Sequence, residues 1–89
     1  VTVVFSNISA TTSPFVLPPG QYDIDVHATS YGTAVTLQKL AADGSTWMTA
    51  LTNFAADGVT PGVYLSGTYR VLVTGASGIY LNIATLVQY

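Results

Sequence analysis

The chain has no cysteine and no glutamate, and its only charged residues are Asp23, Asp25, Asp43, Asp57, Lys39 and Arg70. Without cysteine, neither a disulfide framework nor a thiolate metal site can hold it together. Charged residues make up 7% of the chain, against about 25% in an average soluble domain. Two basic residues cannot supply the clustered lysines and arginines that neutralise phosphate, so neither nucleic acid nor an anionic membrane surface is expected as a partner. Monomers usually stay soluble through interspersed charge. A surface this poor in charge is expected to be covered largely by Thr, Ser, Asn, Gln and Tyr or by other protein, and the second alternative points to a homo-oligomer or a larger assembly. Catalysis is equally short of material, with one histidine and four aspartates to supply acids, bases and nucleophiles. No enzyme, cofactor or catalytic residue is expected.

Val71 to Tyr89 carries no charge, but Gly75, Gly78, Asn82 and Gln88 interrupt it and its apolar residues alternate with a period of two. That pattern predicts two strands and a turn, not a membrane span. From Val1 onward no basic region precedes an apolar run, so no secretory signal is expected. The length of 89 residues suits one domain, residues 1–89, with a single core.

What the chain does have is alternation. In Tyr22-Asp23-Ile24-Asp25-Val26-His27-Ala28 the apolar members point one way and Asp23, Asp25 and His27 the other, and in Tyr69-Arg70-Val71-Leu72-Val73-Thr74 the inward set is Tyr69, Val71 and Val73. Extended segments are expected at residues 1–8, 15–17, 21–28 and 33–40, and again at 46–53, 63–65, 68–74 and 79–88. Turn signals separate them: Pro18-Pro19-Gly20, Ser30-Tyr31-Gly32, Pro61-Gly62, Ser66-Gly67, Gly75 to Gly78, and Asp-Gly at positions 43–44 and 57–58. About eight short antiparallel strands predict an all-β, two-sheet sandwich, jelly-roll-like in topology.

The two sets of segments also superpose. A shift of 47 residues lays Pro14 on Pro61, Val16 on Val63, Gly20 on Gly67, Tyr22 on Tyr69, Ile24 on Val71 and Val26 on Val73, and a shift of 46 lays Gly32 on Gly78, Val35 on Leu81, Leu37 on Ile83 and Leu40 on Leu86. Residues 1–45 and 46–89 therefore read as two copies of one unit.

Asp23, Asp25 and His27 line one strand face about 7 Å apart by the strand rise. They are read as a solvated polar face, with no metal expected. Gly75-Ala76-Ser77-Gly78 lacks the lysine and helix of a phosphate loop, and no Gly-x-Ser-x-Gly elbow is present. Trp47 is expected to be buried at the end of the sheet, while Tyr31 and Tyr80 are the exposed aromatic candidates. Where the copies differ, the second carries Arg70, Leu72 and Tyr80 outward, with Leu86 alongside. The candidate protein-interaction surface is thus Arg70, Leu72, Tyr80, Leu86 and Tyr31.

Leu17-Pro18-Pro19-Gly20-Gln21-Tyr22, Val35-Thr36-Leu37-Gln38-Lys39-Leu40 and Asp43-Gly44-Ser45-Thr46-Trp47 together resemble small structural proteins of tailed bacteriophages. These often pair a Leu-Pro-x-Gly-x-Tyr strand opening with a Val-x-Leu-Gln strand and an Asp-Gly-Ser-x-Trp hairpin. The second unit has Leu65-Ser66-Gly67-Thr68-Tyr69 but no matching Leu-Gln or Trp. The resemblance implies a virion component made in the host cytoplasm: a capsid decoration (cement) protein of β-sandwich or jelly-roll form on the capsid surface. Its partner would be the major capsid protein or another virion protein, and a homo-oligomer, favouring a trimer, is implied. A head-fibre base or tail component, and a carbohydrate-binding module using Tyr31, Tyr80 or Trp47, remain as alternatives.

Overall fold

A computed structural model describes residues 2–51 and 53–85, and these form strands, turns and loops with no helix. Six strands follow one another: β1 (Thr2–Ile8), β2 (Phe15–His27), β3 (Ala34–Leu40), β4 (Trp47–Thr49), β5 (Gly58–Thr74) and β6 (Ile79–Thr85). They make one antiparallel sheet in the order β1-β6-β2-β5-β3-β4.

Alternation sorts the side chains as expected. Tyr22, Ile24 and Val26 of β2, Tyr69, Val71 and Val73 of β5, and Ile79, Leu81 and Ile83 of β6 are buried, joined by Val35 and Leu37 of β3. Burying each such aliphatic side chain contributes about 1.5–3 kcal/mol. The intervening residues of β2 and β6 (Asp23, Asp25 and His27, and Tyr80, Asn82 and Ala84) face away from this core.

Strand count departs from expectation for a local reason. The proline and glycine clusters at Pro18-Pro19-Gly20 and Ser66-Gly67 are not turns. The first sits at a register shift between Leu17 and Gly20 inside β2, and the second lies within an uninterrupted β5. Proline has no N–H for a ladder and is tolerated at such an irregularity. Eight expected segments therefore become six strands, two of them long. Pro61-Gly62, expected as a turn, is likewise an irregularity inside β5: Gly62 has φ +68°, and the Asp23 carboxylate opposite accepts its N–H at 3.1 Å.

Of the two Asp-Gly pairs, only the first is a left-handed turn. Asp43 accepts the Ser45 and Thr46 N–H groups at 2.9 Å each and the Thr46 hydroxyl at 2.6 Å, and Gly44 has φ +79°. Gly58 instead begins β5. At the far end, the β2–β3 and β5–β6 connections join through Ser30 and Ser77, whose backbones exchange hydrogen bonds of 3.2 and 3.0 Å. Strand β4 is shorter than expected because the chain after Thr49 leaves the ladder: the Asn53 side-chain oxygen accepts from the Val35 N–H (2.7 Å) and the Thr36 hydroxyl (3.0 Å).

Candidate functional site

Register builds a surface on the solvent side of the β1–β6–β2–β5 end of the sheet. Val4 stands opposite Asn82, Asn82 opposite Asp25, and Asp25 opposite Val59, so one row crosses four strands. Beside it, His27 is paired with Tyr80, their rings 6.1 Å apart and inclined at 31°. Val4, Val59 and Tyr80 are exposed at 60%, 66% and 48%, making an apolar border around polar groups. A shallow depression of about 310 Å³ lies among them.

Asp57 organises the rim. One carboxylate oxygen accepts from His27 Nδ1 at 2.7 Å, and the other from the Tyr31 hydroxyl at 2.5 Å and the Ala28 N–H at 3.2 Å. The hydrogen bonds from Tyr31, His27 and the Ala28 backbone hold the Asp57 carboxyl down at about 2. Partial burial, together with the bond to Asp57, pushes the Tyr31 phenol up to about 12. An ionised carboxylate can only accept, so His27 donates through Nδ1 and, when neutral, keeps Nε2 as an acceptor. His27–Asp57 is the one ion pair among the described residues, and no hydroxyl bonds to His27 there. Asp25 has no hydrogen-bond or ionic partner among the described residues.

The sequence-derived candidates separate into two places. Tyr80 and Tyr31 flank the His27–Asp57 pair. Arg70 and Leu72 lie at the other end, on the half of β5 that pairs with β3, opposite Gln38 and Thr36. There the Arg70 Nε–H donates to Gln38 Oε1 at 2.8 Å and its guanidinium covers the Trp47 ring at 4.5 Å from the centroid. Trp47 is half-buried under that arginine, on a strand and not in the core. Leu86 lies outside the described residues. Asp23, Asp25 and His27 share a face as expected, and no group of three or more metal-ligating side chains exists among the described residues. Asp57 was missed by sequence reasoning. Its partner is thirty residues away, and only the β2–β5 pairing, which brings Gly58 opposite Val26, gives the signal.

Compared with known proteins, the chain matches no protein-family model, no curated protein and no solved structure.

Proposed function

We propose that this chain is a structural protein of a bacteriophage virion, a capsid decoration protein that binds and stabilises the assembled head shell without catalysing a reaction. The observation that carries the proposal is its surface. Six large apolar side chains stand exposed among the described residues: Val4, Val16, Met48, Val59, Tyr64 and Tyr80. The whole chain has only six charged residues to offset them. Apolar area of this kind is stabilised by a protein partner. A decoration protein that binds only the assembled shell adds its binding free energy to that shell, and oligomeric attachment multiplies the effect. The virion assignment itself comes from the resemblance of the Leu17–Tyr22, Val35–Leu40 and Asp43–Trp47 motifs. Cosedimentation with expanded head shells of the parent phage, and not with unexpanded procapsids, is the expected result. Failure to bind expanded shells sinks the proposal.

The same proposal takes the sheet as a two-layer, jelly-roll-like sandwich made by duplication. Support for two layers comes from one core cluster drawn from both ends of a single sheet, with Ile24 and Ile83 as deeply buried as Leu37 and Val71. The shortest overall extent of 19 Å suits layers about 10 Å apart. Support for duplication comes from register. The β2–β6 pairs from Tyr22↔Thr85 to His27↔Tyr80 map onto the β5–β3 pairs from Tyr69↔Lys39 to Thr74↔Ala34 under the shifts of 47 and 46. Ser30 and Ser77, which bridge each other, are themselves equivalent by the shift of 47, as residues astride a two-fold axis would be. Two correspondences change. Thr12 bonds Val71 as Thr60 pairs with Ile24, so Pro14 is equivalent to Gly62 and not to Pro61. Val63 is equivalent to Phe15 and not to Val16, because Phe15↔Tyr69 mirrors Val63↔Tyr22, and the first copy holds one more residue between Leu17 and Gly20 than the second holds between Leu65 and Gly67.

A saccharide-binding module is the second reading, favoured by the exposed Tyr80 ring beside Asp25 and Asn82. Tyr31 and Trp47 drop out of it, the first tied to Asp57 and the second covered by Arg70. Glycan binding that disappears in Tyr80→Ala would select it.

A further inference from the structure

We propose that the depression around Asp25 and Tyr80 is a socket for the Arg70 side chain of a second copy of this chain. The inference rests on the assembly reading above and assigns the residues that make the contact.

The socket's chemistry selects a cation. Asp25 is a carboxylate with no partner among the described residues, and His27, held at Nδ1 by Asp57, offers Nε2 as an acceptor when neutral. Beside them stand two rings, Tyr80 and His27, and the apolar walls Val4 and Val59. A guanidinium matches this set: it carries five donors and no acceptor, it forks onto a carboxylate, and its flat face lies on aromatic rings.

The chain contains a single arginine. Arg70 has no carboxylate partner among the described residues, and it is held in place by Gln38 and Trp47. Lys39 is a poorer candidate, its stem lying against Gly67 and its ammonium 5.9 Å from the centre of the Tyr69 ring. Arg70 is engaged elsewhere in its own chain: it bonds Gln38 and covers Trp47 on the half of β5 that pairs with β3, whereas Val59 and Asp25 are paired on the half of β5 that pairs with β2. Each copy would therefore give an arginine at one end of its sheet and receive one at the other. Such a contact joins unlike surfaces, and it closes into a ring or continues as a chain according to its rotation.

Sedimentation velocity on the whole chain tests this with wild type, Asp25→Arg, Arg70→Asp and an equimolar mixture of the two variants. Wild type is expected to assemble, and each variant alone to associate more weakly by about thirtyfold or more. The mixture is expected to recover assembly where the two variants can alternate, in a chain or an even-membered ring, and the double variant D25R/R70D is expected to recover it in a ring of any size, because every contact then joins opposite charges. Circular dichroism checks that each variant keeps its strands, and Asp25→Asn with Arg70→Gln replaces them if a charge reversal unfolds the chain. Variants that assemble as tightly as wild type, or a double variant D25R/R70D that keeps its strands and fails to recover, overturn the socket while leaving assembly intact. A wild-type chain that stays monomeric at every concentration overturns assembly and socket together. Saccharide binding by that monomer, lost in Tyr80→Ala, would give the depression to a sugar instead.

Discussion

Tyr22 and Tyr69 each fold a hydroxyl back onto the carbonyl oxygen of an earlier residue in the same strand, Pro18 for the first and Ser66 for the second. Both rings are buried, and both hydroxyls close over the places where the strand carries proline or glycine. Tyr69 also accepts the Ser66 N–H at 2.9 Å. Removing either hydroxyl leaves a carbonyl without its partner. Tyr22→Phe and Tyr69→Phe are each expected to cost about 1 kcal/mol in urea unfolding, with the second the larger because two hydrogen bonds go. Tyr22→Ala is expected to cost about 3–5 kcal/mol, since it also empties the core.

Two left-handed glycines separate conformation from space. Gly32 has φ +53°, and a side chain there would run into the backbone of Gly75 and Ala76, which cannot yield. Gly44 has φ +79° with nothing within 4 Å. Gly44→Ala is expected to cost about 1–2 kcal/mol from backbone strain alone. Gly32→Ala is expected to cost more than about 3 kcal/mol, read as a lower denaturant midpoint.

The Asp57 cluster sets two pH windows. The Asp57 carboxyl sits at about 2 in the folded chain, below the ordinary value of about 3.9. Its contribution is fully present above that ordinary value and is lost as pH falls through about 2. The Tyr31 phenol is raised to about 12 from 10.0, so its contribution is present below 10.0 and is lost as pH climbs through about 12. Tyr31→Phe is expected to abolish the alkaline loss and weaken the acid one, and Asp57→Asn to reduce both. Thermal unfolding across pH compares the variants with wild type.

Arg70 over Trp47 gives a built-in optical reporter, because the chain has one tryptophan. Arg70→Ala is expected to change the emission of Trp47 and to cost about 0.5–1 kcal/mol. Arg70→Lys is expected to retain part of the stacking and to lose the guanidinium's directed bond to Gln38. Unchanged emission in Arg70→Ala would mean that the guanidinium does not lie on the ring in solution.

The inward sets of β2, β5 and β6 were legible because alternation depends on neighbours two residues apart. Strand continuity was not. Pro18-Pro19 and Ser66-Gly67 carry the residues of turns, and only the β2–β5 register reveals them inside strands. The same limit hid Asp57. Its Asp-Gly pair looks locally like the one at Asp43, yet Asp43 caps its own turn while Asp57 reaches His27 and Tyr31 across the sheet. Leu72 and Tyr80 share an outward direction in the sequence pattern, but strand order sends them to opposite ends.

Strand order also governs when the chain can fold. Among the described residues, β3 and β4 are the only sheet neighbours consecutive in the chain, and β1 pairs there with β6 alone, Thr2 facing Ala84. During synthesis the first strand has no mate until the sixth has left the ribosome. Such a high contact order places folding in the range of milliseconds to seconds. Until then, β1 and its valines are open to strands of other nascent chains, and the long wait for β6 is the interval in which a chaperone would matter most.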